Sequence, residues 1–292
     1  MLSPEQLEAR RHRVGASDVA KICGMSKWGG PLKVWAEKVQ GIYEPSGEAA
    51  SLGSRLEPVI LDWAQDYGLV LASRGVEWFD GDINKYGFPL AVTLDARTHD
   101  AEPVNAKTSG LTGGSTEEWG EAETDVIPTE YIIQEQAEML ATGADIAFVP
   151  ALIARRGFVM FRVNRNNDLI ESIKENCAKF WRDYVMTKTP PPPDEDNPPD
   201  EWLLKNLKRE PNSVVELPHE AIYAYEQMQE RKSEIRRLSD EEGQRKAFIL
   251  SHLGLAEAGR LPDGRLITFY ETERKGYTVE ACKYRTLKIT KG

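Results

Sequence analysis

The spacing of apolar residues divides the chain into helical and extended stretches. From Gly53 to Tyr67 the positions Leu56, Ile60, Trp63 and Ala64 recur with the period of a helix. Shorter helices are predicted over 4–12, over a stretch that Ser17 or Asp18 would cap, and over 31–40, where Pro31 suits a first turn. Segments 69–79, 88–94 and 102–108 read as strands, with the turn residues Gly81, Asn84 and Gly87 between the first two. The Gly-rich, acidic stretch 110–127 reads as a loop, and a helix resumes over 129–142. Strands at 146–154 and 157–163 flank Arg155, Arg156 and Gly157 as a hairpin, and 168–186 is a long amphipathic helix with Ile170, Ile173, Cys177, Phe180, Trp181 and Tyr184 in period.

The pattern then breaks. Pro190 to Pro193 and the following DEDNPPD form a stiff, acidic, polyproline-like segment. We therefore divide the chain into a domain over 1–189, a linker over 190–212 and an extension over 213–292. The extension holds a charged helix over 219–252, a hairpin around Asp263-Gly264, and a closing strand in YTVEACKYRTLKI. No tandem repeat is present.

Composition narrows the class. With 292 residues, 40% hydrophobic and seven Trp, the chain can bury a large core. No apolar run approaches a membrane span, and the opening MLSPEQLEARRHR has no apolar core of a secretory signal, so no membrane partner is expected. Cys23, Cys177 and Cys282 are far apart and odd in number, which fits unpaired thiols in a reducing cytoplasm. The net charge of -10 taken alone argues against a nucleic-acid partner. It is an average, however: a local basic surface suffices to bind DNA, and a nuclease gathers carboxylates for its metals.

The chemistry concentrates in VTLDARTHDAEPVNAKTSG, residues 92–110. Asp95 ends one strand, and the next carries Asn105, Ala106 and Lys107. Alternation places 105 and 107 on one face. A carboxylate, a second ligand and a lysine so arranged can hold metal ions and stabilise the charge that develops on phosphorus. Glu57, on the preceding helix, could add a carboxylate. Tyr131, Gln134, Glu135 and Glu138 share one face of the helix over 129–142, from which Gln136 is turned away.

Four segments carry a resemblance. RHRVGASDVAKICGMSKWGGPLKVWAEK, GSRLEPVI, LDARTHDAEPVNAKTS and IPTEYIIQEQAEMLATGADIAFVPALI are similar, in that order, to the motifs of the YqaJ-type, lambda-type phage exonuclease family. The likeness covers roughly the first 190 residues. It implies an α/β, restriction-endonuclease-like core, a mixed sheet flanked by helices, followed here by a C-terminal helix and hairpin. It also implies processive 5′-to-3′ digestion of linear duplex DNA with two Mg2+ ions, for which Mn2+ can substitute. The 3′ overhang would pass to a RecT-like or Beta-like annealing partner in the cytoplasm of a bacterial host, the gene being carried by a phage or prophage. Many members form trimeric rings around DNA, so a homotrimer is implied, with Arg10, Arg11, Arg13, Lys21 and Lys27 near the bore.

Carried over residue by residue, Glu57, Asp95, Asn105 and Ala106 form the metal site and Lys107 is the catalytic lysine. Gln134 and Gln136 position it or the substrate. Arg11 or Arg13, with Ser17, holds the phosphate at the resected end, and Tyr131 belongs to the DNA-binding set. Position 105 departs from the pattern: the family has Glu or Asp there, and an amide carries no formal charge. One charge lost at about 4 Å weakens attraction by about 4 kcal/mol per unit charge at an effective dielectric of about 20. The expected consequence is slow cleavage or none. Two further readings follow, a catalytically silent DNA-end-binding protein and an endonuclease of the same fold.

Overall fold

A computed structural model describes residues 8, 10–80, 83–113, 115–192, 199, 201–208 and 213–271, with backbone alone over 76–80. Most of the predicted opening helix, much of the proline linker, the closing strand and Cys282 lie outside these residues. The chain forms two units, residues 1–208 and 209–292.

The first unit is built on a mixed sheet flanked by helices, the core that the restriction-endonuclease-like expectation calls for. Its strands are β1 (Val14–Gly15), β2 (Leu71–Asp80), β3 (Leu90–Thr98), β4 (Pro103–Val104), β5 (Lys107–Ser109), β6 (Ile146–Ile153) and β7 (Gly157–Asn164). β3 has β2 antiparallel along one edge. On its other edge β1 pairs in parallel at Val14↔Leu90, and β4 pairs antiparallel at Ala96↔Val104. β4 and β5 lie end to end along β6, and β7 covers the far edge of β6. The register on β6 is unchanged across the break, Val104↔Phe148 then Lys107↔Ala151. The Asn105 N–H fills the interval by donating to the Phe148 carbonyl at 3.0 Å.

The helices are α1 (Ala16–Ile22), α2 (Pro31–Trp35, continued by a π-helical turn to Gln40), α3 (Glu48–Asp66), α4 (Ile83–Tyr86), α5 (Thr129–Thr142), α6 (Asn167–Phe180, continued by a π-helical turn to Val185) and α7 (Glu201–Asn206). α1 starts before the predicted caps: Gly15 is its N-cap, and Asp18 in the first turn accepts the Gly15 N–H at 3.1 Å. Ser17 is therefore inside the helix. α7 falls in the predicted linker, yet Leu203 is buried against the core, which carries the first unit past the proline run to Lys208.

Val14, Val34, Leu90, Val92, Ile133 and Phe180 belong to one apolar cluster, and Trp119, Met139, Val149 and Phe161 to a second. Burying each large side chain contributes about 1.5–3 kcal/mol. α5 feeds both clusters, and eight of its residues are buried, among them Glu130, Glu135, Gln136 and Glu138. A helix enclosed this way would ordinarily be apolar throughout, so its acids need a separate account. Gly110, at φ 73°, turns the chain out of β5: a Cβ there would meet Thr116 Cγ2 at 2.7 Å and Ala154 Cβ at 3.0 Å.

The second unit contains α8 (Glu220–Leu253), where the charged helix was expected, and the hairpin β8 (Ala258–Arg260) and β9 (Leu266–Thr268) around Gly264, at the expected Asp-Gly turn. α8 buries no side chain. Among the described residues no helix is long and apolar enough to cross a membrane.

Candidate active site

The sheet opens into a fork where the chemistry was expected. Pairing of β3 with β4 stops at Ala96↔Val104. The carboxylate of Asp95, the next residue on β3, takes the Ala106 N–H at 3.0 Å. Burial raises the Asp95 carboxyl above its usual range, and Lys107 and the Ala106 N–H pull against that rise. Glu57 arrives on α3, one residue before Pro58. Burial raises its pKa, the charge of Asp95 adds to the rise, and Lys107 opposes it.

Lys107 is held from α5. Its Nζ donates to Gln134 Oε1 at 3.2 Å and lies 5.0 Å from the centre of the Tyr131 ring. Burial alone would lower its pKa, but Glu135, Asp95 and Glu138 outweigh burial and raise it. The ammonium therefore stays charged at neutral pH. Lys107, Ala106 and Tyr131 line a cleft of about 850 Å³ whose other walls include Trp28, Gly53 and Leu111. Trp28 is 55% exposed there.

The structure thus brings Glu57, Asp95, Ala106, Lys107, Gln134 and Tyr131 together. Two expected members go elsewhere. Gln136 lies two residues, about 200°, round the helix from Gln134. It joins α5 to the start of α6, donating to the Asn164 carbonyl and accepting the Asn166 N–H, each at 2.8 Å. Asn105 does face α5, as Lys107 does, but it is 1% exposed and engaged there. Its Nδ2 donates to Glu135 Oε2 at 2.7 Å and to Glu138 Oε2 at still shorter range.

Glu135 and Glu138, both 0% exposed, had no role in the sequence reading. Burial raises Glu135 well above the usual range, with Glu138 adding to it. Glu138 is raised to about 7, chiefly by burial. Glu138 also accepts from Gln134 Nε2 at 2.9 Å, and Glu135 Oε1 is buried without a hydrogen-bond partner. The available signal was their place with Tyr131 and Gln134 on one face of a helix otherwise set in the core.

Around Ser17, the expected phosphate-holding residue, the arginine contact comes from Arg10 and not from Arg11. The arginine beside Ser17 is Arg10, whose Nη2 donates to Ser17 Oγ at 3.2 Å. Arg11 instead pairs with Glu8 at 3.2 Å, and Arg13 is half-buried. Below Ser17, Asp18 is fully buried against Lys38 at 2.6 Å, with Arg10 and Lys21 at 3.8 Å. Lys27 is taken up by Glu118 and Glu130, each at 3.0 Å. Neither Arg10 nor Ser17 lines the cleft beside Lys107.

Among the described residues no three acidic, His or Cys side chains converge as a metal cage. Glu57 and Asp95 still suit Mg2+, which commonly takes one or two carboxylates and keeps waters and substrate phosphate for the rest. The charge of Asp95 raises the cost of ionising Glu57, a cost that a bound cation would offset. Asn105 turns its amide nitrogen to the α5 carboxylates, so only its Oδ1 could serve a cation.

The YqaJ protein of Bacillus subtilis (strain 168) is 28% identical over 245 residues, covering 80% of this chain and 74% of its own. The alkaline exonuclease LHK-Exo of Laribacter hongkongensis matches with a TM-score of 0.48 at 19% identity, over 64% of this chain and 94% of that one. A phage-related exonuclease of Haemophilus somnus 129PT matches with 0.46 at 16%, over 61% and 95%. Residues 5–145, the span that holds Ser17, Glu57, Asp95, Lys107 and Gln134, match the model of the YqaJ-like viral recombinase domain, which is the family this chain is similar to.

Proposed function

We propose that this chain is a magnesium-dependent nuclease that digests linear double-stranded DNA from its ends, 5′ to 3′, and leaves 3′ overhangs for a single-strand annealing partner in recombination. The observation that supports the nuclease reading is the proximity of the Glu57 and Asp95 carboxylates to a charged Lys107, which itself lines an open cleft. Polarity, the annealing partner, the use of two ions and a trimeric ring follow from the family resemblance.

Glu57 and Asp95 would hold the cation, with the Ala106 carbonyl as a third donor. When bound, magnesium polarises the scissile phosphate and offsets its charge. Asp95 is already oriented by the Ala106 N–H, so its carboxylate needs little rearrangement. Lys107 keeps its proton, so it is no general base. It donates to a phosphate oxygen and stabilises the negative charge that grows there during cleavage. Gln134 and the Tyr131 ring fix where that ammonium sits.

The deciding assay uses the full chain with linear duplex, covalently closed circles, and either magnesium or a chelator. Magnesium-dependent loss of the linear form alone is expected. Cutting of circles would make it an endonuclease, and binding without cutting would make it a silent end-binding protein. The pocket is tested separately. Arg10→Ala should reduce the preference for 5′-phosphorylated over 5′-hydroxyl ends by about tenfold, the size of a lost charge-assisted contact. Arg11→Ala should change that preference less, because Arg11 is committed to Glu8. Equal effects of the two would return the phosphate contact to the original assignment.

A further inference from the structure

We infer that Asn105 is a positioning residue, the donor that locks a buried glutamate pair beside Lys107, and that it is not a metal ligand lost from the strand. The contact rests on geometry alone; its effect on catalysis rests on the nuclease reading above.

An amide nitrogen has two protons, and both are used: one on Glu135 Oε2 at 2.7 Å, the other on Glu138 Oε2. A carboxylate at 105 has no proton to give. Asp or Glu there would set a third acid against two that are 0% exposed, with Lys107 as the nearby cation. Glu138 is already committed to Asn105 and Gln134, and Glu135 Oε1 lacks a hydrogen-bond partner.

The contacts also reach the reacting group. Asn105 holds Glu138, Glu138 accepts from Gln134, and Gln134 accepts from Lys107. The family pattern puts an acid on the strand. Here the strand carries the amide and the facing helix carries two acids, Glu135 and Glu138. Asn105 is then the residue that suits this chain's α5, and restoring an acid at 105 would harm the site.

The test compares the full-length parent, Asn105→Asp, Glu138→Gln and the double variant. Each is measured by thermal unfolding, by calorimetric titration with Mg2+ alone, and by cleavage of linear duplex. Asn105→Asp should lower Tm by about 10 °C, as expected for an uncompensated buried charge. It should also reduce kcat by at least about tenfold while KM for DNA stays within about twofold, since the loss reaches Lys107 and not the DNA contacts. Adding Glu138→Gln gives the new carboxylate a donor and keeps an acceptor for Gln134, so the double variant should recover most of both losses. A purely structural role would restore Tm without restoring kcat, and would overturn the positioning role. Faster cleavage and tighter Mg2+ binding in Asn105→Asp, with Tm unmoved, would overturn the inference outright, as would Tm losses that simply add. Because the thermal cycle needs no DNA, a parent that cuts nothing would sink the nuclease reading and leave the clamp to be judged on Tm.

Discussion

Lys107→Met should reduce single-turnover cleavage of linear duplex by about 10³-fold, the range seen when a preorganised donor to developing charge is removed. Methionine keeps the length and apolar stem and removes only the ammonium. End binding, measured by fluorescence anisotropy in chelator, should stay within about twofold of the parent, because Arg10 and Ser17 lie outside the Lys107 cleft. Lys107→Arg should not rescue. A planar guanidinium is wider than an ammonium and cannot take its position between Gln134 Oε1 and the Tyr131 ring. If Lys107→Met cut within about tenfold of the parent, the charge at this position would not be the catalytic one.

Lys38→Met should cost about 3–5 kcal/mol of stability, the largest single-residue loss we expect outside the apolar clusters. Lys38 and Asp18 are both 0% exposed in their side chains and 2.6 Å apart, and Lys38 also donates to the Arg10 carbonyl at 2.9 Å. Removing the ammonium leaves a buried carboxylate whose nearest remaining cations are 3.8 Å away. The same pair sets an acid limit. Burial opposes ionisation of Asp18, but Lys38, Lys21 and Arg10 together hold its carboxyl well below the usual value of 3.8. A depressed pKa stabilises the fold above the unfolded value and is lost as pH falls through the folded one. This contribution should therefore be complete above about pH 4, decline below it, and be missing in Lys38→Met. Denaturant unfolding across pH 3 to 7 reads both effects. Equal stability of Lys38→Met and parent would mean that the ion pair only breaks even.

Local pattern carried much of the architecture. The period over 129–142, closed by Gly143, defines α5, and Arg155-Arg156-Gly157 locates the β6–β7 turn. Glu57, Asp95 and Lys107 were legible because strand alternation and the family motifs put them on converging elements. The partner of Asn105 was not, because it depends on which face of α5 packs over the fork, a contact across 30 residues of sequence. Gln136, named by its motif, lies off the Gln134 face by helical phase and bonds Asn164 and Asn166. The Arg10 contact turns on where α1 begins: with Gly15 as its cap, Ser17 faces Arg10. α7 was hidden because one buried leucine, Leu203, anchors a short and otherwise polar segment.

The fork in the sheet also makes two adjacent amides answer to different motions. The Asn105 N–H is bonded to Phe148 of β6, so it exchanges its hydrogen with solvent only when the strands separate. The Ala106 N–H is bonded to the side chain of Asp95, so it exchanges whenever that carboxylate turns away, with the sheet intact. Such openings differ in free energy from near zero up to the full stability of the unit. Hydrogen-exchange NMR should therefore find Ala106 the faster of the two. A cation held by Asp95 with that hydrogen bond intact would fix the carboxylate, so magnesium should slow Ala106 and leave Asn105 unchanged, and a single amide then registers occupancy of the site without any substrate.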